Sequence, residues 1–310
     1  MNEHYPVPPA WLAQQPGDVP SAAAAWLATP ALSALSRALG GPVVRRIPGD
    51  LPALAQWSRR VLDTRHGAER HEARRGDLPE PAIRLLAAAA RDLGLLATRA
   101  PALRAYDTVV ILGGTATGNR LRVALTAEFA RQGTGMDVVA GLSAHRLITA
   151  GERTAEQVPP AEHTEWQNLL REISTAFHVA ASARPGPEAP AAGFLTALDQ
   201  EFGDPAGRRI RILAAPSRDR NRRANTADAV DYLTRRIPAA RRQRVLVVTS
   251  AIYAPYQFFT VSPPLLAAGT RHAELVGTPT QAAGGEALLA QRFAQEIHSA
   301  IQATARLWPA

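Results

Sequence analysis

From residue 106 onward, short apolar runs alternate with longer stretches in which apolar residues recur every three or four positions. The runs at 108–112, 137–140, 209–213, 244–248 and 274–276 predict strands. Helical spacing predicts helices at 119–131, 161–177 and 226–236, another beginning near Pro255, and a long amphipathic one at 286–306. In that last helix Leu289, Phe293, Ile297 and Ile301 form one stripe. Repeated strand, polar loop and helix is the order that builds an open parallel sheet. The pattern therefore predicts an α/β domain over 106–310, a three-layer Rossmann-like open sheet that is mainly parallel.

Before residue 106 the spacing is helical throughout. Helices are expected at 21–29, 31–39, 51–63 and 80–96, with Pro20 and Pro30 punctuating the first pair and Gly40-Gly41 stopping the second. Residues 1–105 thus read as an N-terminal helical region placed to serve as a lid. The charge run at 65–75 reads as a solvated connector, and 181–192, rich in Pro and Ala, as a loop. His66 and His71 are five apart and do not share a helical face, so no metal site is expected there.

Composition narrows the function classes. A chain of 310 residues, 46% hydrophobic, is long enough to bury a substantial core. It contains no cysteine, which excludes disulfides, thiolate nucleophiles and thiolate metal sites. The net charge of +8 comes entirely from arginine among the basic residues, for there is no lysine. That bias reads as the mark of a GC-rich genome. Arginine is spread along the whole chain and aromatics make up only 5%, so nucleic-acid binding is not expected. The start lacks a cationic segment followed by an apolar one, and 21–39 is alanine-rich and interrupted by Pro30. A cytoplasmic protein with a small-molecule ligand and no membrane partner is expected.

Three strand ends carry the candidate chemistry. The first leads into Gly113-Gly114-Thr115-Ala116-Thr117-Gly118-Asn119, where glycines admit close approach and helix amides favour an anion. This is neither the dinucleotide fingerprint nor a Walker loop. The second leads through Arg218, Arg220, Arg222 and Arg223 to Asn225-Thr226, with Asp228 placed to close a capping box. Four arginines beside a positive helix end repel one another unless an anion or acidic side chains intervene, which predicts a phosphate or carboxylate ligand for some of them. The third ends in Thr249-Ser250. A rival reading takes Gly141-Leu142-Ser143-Ala144-His145 as the nucleophile elbow of a serine hydrolase, with His272 or His298 as base. His145, however, stands where the tight turn requires a small residue.

In order along the chain, several segments resemble the YdcF/SanA/ElyC-type family over about residues 106–280. They are the aspartate-led Asp107-Thr108-Val109-Val110-Ile111-Leu112-Gly113-Gly114, Val139-Ala140-Gly141-Leu142-Ser143, Thr164-Glu165-Trp166, Asn225-Thr226 and Val248-Thr249-Ser250. Tyr253 and Tyr256 stand where that family has a histidine and an arginine. The resemblance implies a soluble, YdcF-like bacterial protein with a pocket at the strand ends. It also implies S-adenosylmethionine or a related adenosyl or anionic ligand, held by Gly113, Gly114, Thr115, Asn119, Arg218, Arg223, Asn225, Thr226, Thr249 and Ser250. The expected activity is group transfer, with Glu165 and Tyr253 as catalytic candidates; the alternative is a non-catalytic binding or regulatory protein using the same pocket.

Overall fold

The computed structural model describes residues 18–65, 78–97, 99–144, 146–179, 195, 197–220, 222–237, 244–281 and 285–308. In chain order its elements are α1 (Val19–Leu27), α2 (Pro30–Ala38), α3 (Leu51–Val61) and α4 (Glu80–Asp92), followed by β1 (Ala105–Leu112), α5 (Ala116–Arg131) and β2 (Gly135–Ala144). Next come α6 (Ala150–Glu156), α7 (Glu165–Ala176), β3 (Leu198–Gly203), β4 (Arg209–Ala215), α8 (Thr226–Arg236) and β5 (Arg244–Ser250). A 3-10 turn (Ala251–Tyr253), α9 (Ala254–Ala267), β6 (His272–Thr278) and α10 (Glu286–Ala305) complete the chain. Every strand expected between 108 and 276 is present. The expected loop at 181–192 and most of the charge run at 65–75 lie outside the described residues.

The strands form one six-stranded sheet in the order β3-β4-β2-β1-β5-β6. β1 pairs in parallel with β2 and β5, β2 with β4, and β5 with β6, while β3 runs antiparallel to β4 at the edge. This is a Rossmann-like α/β fold. Right-handed crossovers fix which face each helix covers. The steps from β1 to β2 and from β2 to β4 run in one direction. They lay α5 and α7 side by side on one face, where Val109, Ile111, Val139, Ile212, Leu246 and Val248 meet Val123, Phe129, Trp166, Leu169 and Ile173. The return to β5 reverses the direction. Accordingly α8 packs on β4 and β2 with Val230 and Leu233 buried outside that cluster.

Gly141 lets α7 settle onto the sheet. A Cβ there would stand 2.7 Å from Ile173 Cδ1 and 3.0 Å from Leu169 Cδ2. The edge strand β3 was not legible in the sequence pattern because Leu198-Asp199-Gln200-Glu201-Phe202 is mostly polar and only partly buried. An edge strand needs one partner and tolerates charge; Arg211 of β4 supplies the counter-charge to Asp199 and Glu201.

The chain forms two compact units: residues 1–99, 251–260 and 279–310 make one, and residues 100–250 and 261–278 the other. The first is helical. Its α10 packs on α3, α4 and α1, around buried Trp26, Leu35, Leu54, Trp57, Leu86 and Phe293. Chain order alone groups α10 with the sheet; its contacts belong to the helical unit. Its polar residues are stitched to α3, with Ser58 Oγ 3.1 Å from His298 Nδ1 and Gln302 Nε2 donating to Ser58 Oγ at 3.0 Å. Among the described residues no helix is long and apolar enough to cross a membrane.

Candidate functional site

The strand order reverses between β1 and β5, and such a reversal opens a crevice at the carboxyl ends of the two strands. The residues on its lip come from Gly113-Gly114 after β1 and Thr249-Ser250 at the end of β5. Ser250 follows Leu246 and Val248 onto the face covered by α5. There Arg122 of α5 reaches over, donating to Ser250 Oγ at 3.2 Å and, through Nη1, to the carbonyls of Leu112 at 2.5 Å and Gly113 at 2.8 Å. A Cβ on Gly114 would lie 3.0 Å from Arg122 Nη1, so glycine leaves room for the guanidinium. Thr278 is the register partner of Ser250 on β6, and its buried Oγ1 has no hydrogen-bond partner among the described residues.

The glycine loop is held on its other side by a polar chain. Thr115 caps α5, accepting from the Gly118 amide at 3.2 Å. Asn119, fully buried, accepts from the Gly114 amide at 2.8 Å and donates to Asn168 Oδ1 at 2.8 Å. Asn168 in turn donates to Glu162 Oε2 at 2.9 Å, and Glu162 pairs with Arg171. Four expected site residues, Gly113, Gly114, Thr115 and Asn119, are thus brought together.

Glu165 joins them. It is the first residue of α7, whose cap Thr164 forms a complete capping box with Gln167. Its Oε1 occupies the space a Cβ on Gly113 would need, 2.3 Å from that position, and its Oε2 accepts from Arg146 Nε at 2.9 Å. Arg146 also donates to both oxygens of Glu152, at 2.6 and 3.0 Å, and to the Gly114 carbonyl at 3.2 Å. Burial works against the charged form of Arg146, but the hydrogen bonds and charges of Glu152 and Glu165 outweigh it and raise its pKa above the usual arginine value. The result is a largely buried Glu–Arg–Glu triad against the glycine loop. Chemically, this corner offers a carboxylate at a helix start beside the glycine loop, and a guanidinium that fixes its orientation.

The Arg-rich loop before α8 has a different environment. Asn225 caps α8 and closes the expected capping box with Asp228. Arg222 pairs with Asp228 at 2.6 Å, and Arg218 with Asp231 at 2.8 Å. Burial tends to raise the Asp228 pKa; the Arg222 guanidinium and the Asn225 amide prevail and hold it below the usual carboxylate range. Acidic side chains of α8 therefore supply counter-charge to two of the four arginines. Arg223 lies just before the cap, and Thr226 is the first helical residue.

Thr249 is fully buried in β5. Tyr253 ends the 3-10 turn and Tyr256 lies in α9, both in the helical unit. Ser143 lies within β2 rather than on a strand-to-helix turn, and its hydroxyl donates to the Leu213 carbonyl at 3.2 Å; His145 lies outside the described residues. Among the described residues no group of three or more His, Asp or Glu is placed to hold a metal ion.

Arg122, Arg146, Glu152, Asn168 and Glu162 were missed by sequence reasoning. Each looks like an ordinary charged or polar helix or loop residue; only the apolar neighbours around Arg122 and Asn168 hint at burial.

The fold defines the class: a doubly wound α/β protein whose strand order reverses between β1 and β5. A family model described as Rv3785 N-terminal domain matches residues 12–94. That finding corrects the resemblance to the YdcF/SanA/ElyC-type family, whose motifs the chain matches only piecemeal after residue 106. No curated protein and no solved structure matches the chain.

Proposed function

We propose that the α/β unit binds a small anionic ligand at the carboxyl ends of β1 and β5 and acts on it by group transfer. The observation that carries this reading is the reversal of strand order between β1 and β5, with Gly113-Gly114 on one lip and Thr249-Ser250 on the other. Open α/β sheets bind ligands in that crevice because helix amides and loop backbone converge there. The Thr278 hydroxyl beside Ser250, without a partner among the described residues, and the buried Arg122 add a hydrogen-bonding group and a positive charge at the same edge. Nucleotides and adenosyl compounds, S-adenosylmethionine among them, are the ligand class proposed. Glu165 is the acid–base group of the reading, with Arg146 as its positioning residue.

A second reading is favoured by one contact. Glu165 is already engaged by Arg146 and packed on Gly113, which suits a structural carboxylate in a binding protein without turnover.

Thermal-shift titration with S-adenosylmethionine, S-adenosylhomocysteine, adenosine diphosphate and pyrophosphate tests the site. A ligand at a hundred times its Kd stabilises the fold by about 2.7 kcal/mol. Stabilisation lost in Gly114→Val but kept in Asn225→Ala supports the crevice. The reverse pattern moves the ligand to the start of α8, and no shift with any compound refutes the proposal. Glu165→Gln then separates the readings: an enzyme keeps its ligand and loses turnover, whereas a binding protein changes only in affinity.

A further inference from the structure

Four buried side-chain atoms among the described residues have no hydrogen-bond partner: Thr108 Oγ1, Gln200 Oε1, His272 Nε2 and Thr278 Oγ1. A buried polar atom left unbonded costs stability, so each such position calls for a reason. Their places in the sheet separate them. Thr108 lies early in β1, Gln200 in the edge strand β3, and His272 opens β6, 3.5 Å from the Glu274 carboxylate. Of the four, Thr278 is the one at the carboxyl end of a strand, on the last rung of the β5–β6 ladder opposite Ser250.

Packing alone does not account for a threonine here. β6 is buried from Ala273 to Thr278, and Val276, two positions back, belongs to the apolar cluster that α5 covers. Alternation along a strand puts Thr278 on the same face as Val276. Valine has nearly the same shape as threonine, suits a strand equally well and has no hydroxyl to satisfy. Thr278, 5% exposed, thus keeps a group that the fold by itself does not use.

Ser250 supplies a second hydroxyl. It follows Leu246 and Val248 onto the same face, and its Oγ accepts from Arg122 Nε at 3.2 Å. With a donor already on its oxygen, the serine keeps its own proton for a further acceptor. Neighbouring strands lie about 4.7–4.9 Å apart, so one oxygen placed between two such hydroxyls can accept from both at about 2.7 Å. The Arg122 guanidinium beside Ser250 favours a negatively charged oxygen there over a neutral one.

We propose that Thr278 is a specificity-determining residue of the ligand site, donating together with Ser250 to one anionic oxygen of the ligand, a carboxylate or phosphate oxygen. The inference rests on the ligand site proposed at the ends of β1 and β5, and extends that site to β6.

The test uses the full chain and its variants Thr278→Val and Thr278→Ser. Each is unfolded in urea without ligand, then titrated by calorimetry with S-adenosylmethionine, which offers a carboxylate, and with adenosine diphosphate and inorganic pyrophosphate, which offer phosphate oxygens. Thr278→Val is expected to unfold at the same or a higher midpoint than wild type. It is also expected to bind the compound that wild type binds roughly five- to tenfold more weakly, the worth of one hydrogen bond, while Thr278→Ser keeps the wild-type affinity. Which compound shows the loss distinguishes carboxylate from phosphate. A lowered midpoint in Thr278→Val shows that the hydroxyl serves the fold, and overturns the proposal. Unchanged binding by Thr278→Val, or equal weakening in Thr278→Ser, removes the hydroxyl from recognition and overturns it too, while the ligand site stands. If wild type binds none of the three compounds, the site reading has failed and this inference with it.

Discussion

Replacing Arg146 with methionine tests whether the Glu152–Arg146–Glu165 triad holds the glycine loop in place. The side chains of Arg146, Glu152 and Glu165 are 18%, 11% and 7% exposed, so solvent screens their interactions only partly. Methionine fills much of the same volume but leaves two carboxylates close together without their counter-ion, and the Gly114 carbonyl without a donor. Breaking a buried ion pair from one side costs about 3–5 kcal/mol, because the penalty is the uncompensated charge that remains. For a unit of this size each kcal/mol lowers Tm by about 2–4 °C, which places the expected drop at about 6–20 °C. The double variant Arg146→Met with Glu165→Gln removes one of the stranded charges and must recover a part of that loss, about 1 kcal/mol or more. Chemical unfolding of wild type, both single variants and the double variant supplies the coupling energy. A loss below 1 kcal/mol for Arg146→Met, or strict additivity in the cycle, refutes the claim that the triad is a coupled buried unit.

Further outcomes follow from particular contacts. Gly141→Val forces side-chain atoms into Ile173 and Leu169 and should destabilise the α/β unit by about 1–3 kcal/mol; unfolding midpoints check it, and a neutral result contradicts the close packing of α7 on β2. Asn225→Ala removes the cap of α8 and should cost about 1 kcal/mol in urea unfolding. His298 has its pKa lowered, chiefly by burial, with Arg59 and Arg65 lowering and Asp63 raising it. Its neutral form therefore stabilises the helical unit fully above about pH 6.5, and that contribution is lost as pH falls from there toward the folded-state pKa. Unfolding measured from pH 8 to 5 should show an acid-side loss in wild type that is smaller in His298→Gln, and equal losses in the two proteins count against the assignment.

Much of the frame was legible along the chain. α8 begins and ends at the residues its spacing and caps indicate, because Asn225 and Asp228 satisfy each other locally. The consecutive apolar residues of β1, β2, β4 and β5 report strands buried on both faces. At the site, Gly113, Gly114, Thr115 and Asn119 are neighbours in sequence, so turn and cap chemistry alone pointed to them. Glu165 was found through a family likeness that the match at 12–94 overturns, although the structure does set it against Gly113.

The partners of those residues were beyond reach. Arg146 and Glu165 are 19 positions apart, Asn119 and Asn168 49, and Arg122 and Ser250 128. What the sequence by itself determined is what short-range physics decides: the period of apolar burial, the caps, the glycine turn after β1, and hence an α/β sheet with helices before it. Only the tertiary structure decided that strand order reverses between β1 and β5, that acidic side chains of α8 take up Arg218 and Arg222, and that α10 packs with the first helices. It likewise decided that Arg146 sits between two glutamates. Each of these depends on which distant segments share a face of the sheet or a helix groove, and a buried charge is tolerated only where such packing delivers its counter-charge.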